Sequence, residues 1–336
     1  MQPADLDLLA TELEEQLLGL DPTGPRVVAI GGGHGLAAAL VAVQSYASNI
    51  TAIVSVADDG GSSGRLKSGL GISPPGDIRK CLLALTPEPT IWSELFSYRF
   101  GGDVEIDAAD MSPRDVEGHS LGNLILAALA DIHDDFALAV RLAGDLLGSL
   151  GIVVPAADRP IHLSAESDRG LLDGQVAVAR TSSPIRRLIL GPDEITGHPD
   201  AIAAIGNADQ IILGPGSLFT SVLAAMAVPG ISEAIDMSPA QVVSVVNLIT
   251  QNGETLGLSG RDHLEAYERF SGLTRRGQAL MHSGPMQVPP TVTRVLIDDP
   301  LGWTVHFHDV CNQAAEWPEH DPIKLGHALA QVYRSG

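Results

Sequence analysis

Four short stretches of this chain carry residue types and spacings that could do chemistry. The first is GHSLG, residues 118–122, which fits the Gly-x-Ser-x-Gly turn of serine hydrolases. That turn exposes its serine only when an apolar strand leads straight into it. Here residues 110–117 read DMSPRDVE, which is polar and turn-like, and residues 123–132 read NLILAALADI, a clear helix. Ser120 is therefore expected to cap a helix N-terminus and not to attack a substrate.

The other three stretches share a different chemistry. Residues 31–35 read GGGHG, between an apolar strand and an Ala-rich helix. Glycines let a backbone approach an anion closely, aim free amides at it and add the pull of a helix dipole. The spacing is not Gly-x-Gly-x-x-Gly, because His34 and Leu36 stand where glycine would be needed. The Lys-Ser/Thr pair of a P-loop is missing as well. Residues 57–66 read ADDGGSSGRL. Asp58 and Asp59, at a strand end, could hold a divalent ion or accept hydrogen bonds from a ribose or base edge. Ser62, Ser63 and Arg65 suit phosphate oxygens. Residues 214–221 read GPGSLFTS, with Gly216, Ser217 and Thr220 at another helix start, a further anion site. PPGDIRK, residues 74–80, adds Arg79 and Lys80. Arg65 and Arg79 are the cations expected at phosphate, while Lys67 and Lys80 read as solvated surface charges.

The elements that must position these loops follow a rhythm. Apolar strands run into glycine-rich turns and then helices around residues 26–43, 50–66 and 208–226, with a fourth strand in QVVSVVNLITQNGET. Strands without polar alternation, joined through helices, imply a parallel sheet covered on both faces. The fold class is α/β and doubly wound, with a mostly parallel sheet. Residues 151–190 lack helical periodicity and read as a β-rich insertion on that sheet. Leu8, Leu9, Leu13 and Leu17 make residues 5–20 an amphipathic helix, so the expected organisation is an N-terminal helix within 1–24 and one domain over 25–336. FGGDVEID, from residue 100, suggests a short strand at the mouth of the site, and a closing helix is expected from Asp321 or Pro322.

Composition narrows the partners. Of 336 residues, 20 are Lys or Arg and 41 Asp or Glu, a net charge of −21. Such a surface repels nucleic-acid phosphates and anionic membranes. Two cysteines, Cys81 and Cys311, are too few and too far apart for a disulfide framework and read as buried apolar residues. No apolar run reaches membrane-spanning length and the N-terminus is acidic, so a cytoplasmic protein with no membrane span is expected.

In order, the motifs AIGGGHGL, VADDGGSSGRL, PPGDIRKCLLAL, GHSLGNLILAAL, ILGPGSLFTSVL, VPGISEAI and NLITQNGET resemble the YvcK/CofD-like family, from Val27 to about His263. The family has two branches. One is the 2-phospho-L-lactate transferase, which uses a GDP-linked donor, a deazaflavin acceptor and Mg2+. The other is the YvcK-type gluconeogenesis factor, which resembles a binder of UDP-glucose or UDP-N-acetylglucosamine and supports cell shape and peptidoglycan synthesis during gluconeogenic growth. The wording of GGGHGL, GDIRKCLLAL and NLITQNGET is closer to the second.

The resemblance implies a Rossmann-like fold and diphosphate contacts from Gly32, Gly33, His34 and Gly35. It implies polar contacts from Asp58, Asp59, Ser62, Ser63 and Arg65, with Asn123, Gly216, Ser217 and Thr220 completing the pocket. Asn247, Thr250 and Gln251 are further candidates at another strand end. In the transferase branch, Asp58 and Asp59 would hold Mg2+. The expectation is a nucleotide-sugar-binding regulator with no catalytic residue assigned, with partners in envelope synthesis and a homodimer formed through the N-terminal helix. Two departures stand out. His34 replaces a threonine common in relatives, and Glu319 precedes His320 and Asp321 where relatives often carry arginine.

Overall fold

The computed structural model describes residues 20–59, 66, 72–87, 89–101, 116 and 118–336. The expected N-terminal helix up to residue 19, most of the expected strand from residue 100, and Ser62, Ser63, Arg65 and Lys67 lie outside the described residues.

The strands are β1 (Arg26–Gly31), β2 (Asn49–Val54), β3 (Ile152–Pro155), β4 (His162–Ser167), β5 (Gly170–Asp173), β6 (Ile185–Gly191), β7 (Gln210–Leu213), β8 (Gln241–Val245), β9 (Gln278–His282) and β10 (Thr304–His308). The helices are α1 (Gly33–Val43), α2 (Gly76–Ala84), α3 (Ile91–Ser97), α4 (Leu121–His133), α5 (Phe136–Leu147), α6 (Gln175–Ala179), α7 (Pro199–Asn207), α8 (Leu218–Leu223, a π-helix that continues as α-helix through Ala224–Met226), α9 (Ile231–Met237), α10 (Gly260–Ser271) and α11 (Pro322–Ser335).

Seven strands form one sheet in the order β10-β9-β8-β7-β1-β2-β3, and every pairing is parallel. The central strands β1, β2 and β7 are apolar because both of their faces are buried, whereas the edge strand β10, TVHFH, is polar and largely uncovered. Along β1, Val27 and Ala29 face one core and Val28 and Ile30 the other. Helices α1, α2 and α11 close the first core, while α7, α9 and α10 close the second. This is a doubly wound, Rossmann-like arrangement. Its strand order reverses between β1 and β7, which are neighbours in space although far apart in sequence. In such sheets the crevice at the carboxyl ends of the two diverging strands is where ligands bind.

The β-rich stretch divides. Ile152–Pro155 pairs with β2 as the edge of the main sheet, whereas β4, β5 and β6 form a small antiparallel sheet. Leu163, Ala165 and Ile185 bury that small sheet against the second core. Ser120 is the N-cap of α4: its hydroxyl accepts from the Asn123 backbone N–H at 3.3 Å, and it is fully buried. The serine is thus a cap within the fold. At the other end, Asp321 caps α11 by accepting from the Ile323 and Lys324 amides, with Pro322 in the first turn.

Candidate functional site

The loops after β1 and β7 meet at the reversal point. A Cβ on Gly35 would lie 2.5 Å from the Pro215 carbonyl oxygen, so only glycine lets α1 start this close to the loop at 214–216. Asn247, beyond β8, locks the same loop. Its Oδ1 accepts from Gly216 N at 3.2 Å and its Nδ2 donates to Gly216 O at 2.8 Å. Gln251 Nε2 then donates to Ser217 Oγ at 2.9 Å. Three strand ends are therefore stitched into one rim.

Two chambers open on this rim and adjoin at His34, Gly35, Gly216 and Gln251. The smaller, about 350 Å³, is polar and is lined by Gly32, Gly33, Ser55, Asp58, Asp77, Lys80, Gln175, Ser217, Thr220 and Ser221. The larger, about 580 Å³, runs past Asn247, Thr250 and Asn252 to Trp317, Glu319 and His320. In the small chamber the Ser55 and Thr220 hydroxyls are buried and have no hydrogen-bond partner among the described residues. A buried hydroxyl left unpaired costs about 1–3 kcal/mol.

Charge in the small chamber comes from three described side chains. Lys80 Nζ donates to Asp77 Oδ1 at 3.0 Å, and Asp58 lines the wall. Lys80 thus belongs to the site and is not the solvated surface charge that the sequence suggested. Its ammonium group is the main cause, ahead of burial, of a lowered His34 pKa, so the imidazole is neutral near pH 7. Arg79 goes the other way. Its guanidinium is buried, donating to Asn123 Oδ1 and the Phe96 carbonyl oxygen, both at 3.1 Å. It holds α3 and α4 together and does not line either chamber, and neither does Asn123.

The paired aspartates face different tasks. Asp58 reaches the chamber, whereas the Asp59 carboxylate accepts from the Gln175 and Val176 amides at 2.8 and 3.1 Å. Asp59 so ties the strand end of β2 to the start of α6, and Gln175 is delivered to the chamber wall. Among the described residues no three His, Cys, Asp or Glu side chains gather as a metal site. Mg2+ commonly takes one or two carboxylates and completes its shell with phosphate oxygens and water. Asp58 fits that demand, with Asp77 on the same wall.

Of the expected contacts, Gly32, Gly33, His34, Gly35, Asp58, Gly216, Ser217 and Thr220 come together on the chamber walls, with Gln251 beside them. Sequence reasoning passed over Ser55, Asp77, Gln175 and the buried Glu254. Glu254 lies beside the amides of Leu218, Phe219 and Thr220, so the N-terminus of α8 already has a carboxyl group of its own. From this loop and helix, Ser217, Thr220 and Ser221 line the small chamber.

The family described as 2-phospho-L-lactate transferase CofD matches residues 27–321. A gluconeogenesis factor of Halalkalibacterium halodurans is 41% identical over 261 residues, which is 77% of this chain and 78% of that protein. The gluconeogenesis factor of Bacillus subtilis is 42% identical over 249 residues, 74% of this chain and 75% of its own. A crystal structure of a Bacillus halodurans protein, at 36% identity, has a TM-score of 0.84 and covers 92% of this chain and 100% of that one. Among the described residues no single helix is long and apolar enough to cross a membrane.

Proposed function

The chain belongs to the CofD family, and from that premise we propose that it is a gluconeogenesis factor that binds a nucleotide sugar and regulates by doing so. The observation that carries the reading is the pair of adjoining chambers at the reversal point, the smaller one polar and walled by Gly32–Gly35, Lys80, Ser217 and Ser221. A diphosphate fits the small chamber, against Gly32–Gly35, Lys80, Ser217 and Thr220. The nucleoside or sugar ring fits the large one, where Asn252 offers an amide and Trp317 an aromatic ring at the rim.

UDP-N-acetylglucosamine and UDP-glucose are the ligands proposed. A protein that senses a wall precursor would connect gluconeogenic growth with cell shape and envelope synthesis. It would act in the cytoplasm through protein partners of that synthesis. Mg2+ would sit on Asp58 and offset the diphosphate charge beside two carboxylates.

Isothermal titration calorimetry with UDP-N-acetylglucosamine, UDP-glucose and GDP, each with and without Mg2+, tests the proposal. Saturable heat from a UDP-sugar supports it, and no heat from any of the three defeats it. The carboxylates in the chamber and the family description also favour a second reading, transfer of a phospholactyl group from a GDP-linked donor. That reading requires Mg2+-dependent product formation, lost in Asp58→Asn.

A further inference from the structure

The two chambers differ in what they offer a ligand. The small one combines the glycine loop with Lys80, beside Asp58 and Asp77. In the large one Glu319 is the one Asp, Glu, Lys or Arg among the described residues of the wall. His34 and His320, also on that wall, are neutral near pH 7: Lys80 lowers the first, and burial takes the second down to about 4. The large chamber therefore gives a phosphate no cation and suits an uncharged ring.

The Glu319 carboxylate is held in place. Asn312 Oδ1 accepts from the Ala314 amide at 3.1 Å, which turns Asn312 Nδ2 towards Glu319, and Nδ2 donates to Glu319 Oε1 at 2.9 Å. The backbone follows the same path. Asn312 N–H donates to the Glu319 carbonyl oxygen and Asp321 N–H to the Val310 carbonyl oxygen, both at 2.9 Å. Asn312 is the one side-chain partner of Glu319 among the described residues, so most of the acceptor sites of a carboxylate stay open. Two residues earlier Trp317 exposes its ring, and Asn252 adds an amide to the same wall. Pro318 between Trp317 and Glu319 fixes the backbone φ that separates ring from carboxylate.

We propose that the large chamber is a hexose subsite, in which Glu319 accepts hydrogen bonds from sugar hydroxyls and the Trp317 ring packs against the C–H face of the pyranose. A carboxylate only accepts, so its partner must present donors. The face of an aromatic ring is electron-rich and attracts the polarised C–H groups of a sugar. A hexose carries hydroxyls side by side along one edge, and two neighbours can reach one carboxylate. Uracil meets this wall poorly, because its single N–H lies between two carbonyl oxygens that would face the carboxylate. With the hexose here and the diphosphate in the small chamber, the nucleoside extends past Asp58 and Gln175, which line the small chamber alone.

This inference rests on the nucleotide-sugar reading for its ligand, and two arms separate their failures. In the first, calorimetry compares UDP, UDP-glucose and GDP on wild type, Glu319→Gln, Glu319→Ala and Trp317→Ala. The readout is the ratio of the UDP and UDP-glucose dissociation constants. Wild type is expected to bind UDP-glucose about tenfold or more tighter than UDP, the factor that one hydrogen bond to a charged group supplies. Glu319→Ala and Trp317→Ala are expected to bring the ratio close to unity, and Glu319→Gln, which keeps one acceptor oxygen, to fall between. A ratio left at the wild-type value in Glu319→Ala overturns the proposal. So does GDP binding tighter than UDP-glucose with that preference lost in Glu319→Ala, because guanine presents two adjacent N–H donors and would then be the ring in the chamber.

The second arm needs no nucleotide. Glucosyl phosphate, the hexose with phosphate on its anomeric oxygen, can reach Lys80 with its phosphate and Trp317 with its ring. Tryptophan fluorescence reads that contact, and Trp317→Phe identifies the signal among the three tryptophans of the chain. A saturable change is expected in wild type, absent in Trp317→Phe and weakened in Glu319→Ala. If UDP, GDP and UDP-glucose all fail to bind, the nucleotide-sugar reading falls and the response to glucosyl phosphate alone decides the subsite. No Trp317 signal with either glucosyl phosphate or UDP-glucose overturns it.

Discussion

The side-chain amide of Asn247 pairs with the main chain of Gly216 in both directions, accepting from its N–H at 3.2 Å and donating to its carbonyl at 2.8 Å. One residue beyond β8 thereby fixes the loop beyond β7, which in turn packs against the start of α1. Asn247→Ala removes both bonds and leaves two backbone groups without their partners, at a cost of about 1–3 kcal/mol. The expected outcome is a lower Tm and an affinity for UDP-N-acetylglucosamine reduced about tenfold or more. Calorimetry and thermal melts check the two effects together, because a loop that stays in place without Asn247 would change neither.

Lys80 and His34 make a second prediction, one of pH. The Lys80 ammonium group is the largest cause of the lowered His34 pKa. Lys80→Ala is expected to raise that pKa, read from the imidazole NMR shifts during a pH titration. A bound diphosphate is an anion beside the same ring and must also raise it. A ligand that raises a pKa is bound together with a proton. Affinity is therefore expected to increase as pH falls through the interval between the free and bound pKa values. Calorimetry in buffers of different ionisation heat measures the proton uptake, and uptake that persists unchanged in His34→Ala would contradict the assignment.

Asp58 and Asp59 are expected to separate in their effects. A carboxylate on the first amides of a helix contributes about 1–2 kcal/mol. Asp59→Ala should cost stability on that scale. Gly174→Ala should cost it too, since a Cβ there would lie 2.3 Å from Asp59 Oδ2 and push the carboxylate off α6. The double variant should be clearly less destabilised than the sum, because both break one contact. Asp58→Asn should change the Mg2+ dependence of ligand binding, which Asp59→Ala should not.

These residues also show what the sequence could and could not tell. Continuous apolar strands announced a covered parallel sheet, and glycine-rich turns marked the ends of β1 and β7. Nothing in the sequence says that those two strands are neighbours, and that adjacency creates the chambers. Successive side chains of extended backbone point opposite ways, so of two adjacent aspartates one could line the site and the other serve the fold. Which was which depended on where α6 landed. Lys80 read as a solvated surface charge, and only the close approach of α1 turns it and Asp77 into a chamber wall. Arg79, its neighbour on α2, points into the protein instead. A lone glutamate in QNGET carried no pattern, because burial against α8 is a tertiary event. Gln251, in the same segment, was legible through its resemblance to the family motif.

The most direct test of the central claim is a crystal structure of the complex with UDP-N-acetylglucosamine. The account predicts the diphosphate in the small chamber, within hydrogen-bond distance of Lys80 Nζ, the Ser217 hydroxyl and the amides after Gly32, with one ring of the ligand near Trp317. A diphosphate bound away from the crevice between β1 and β7 would contradict it.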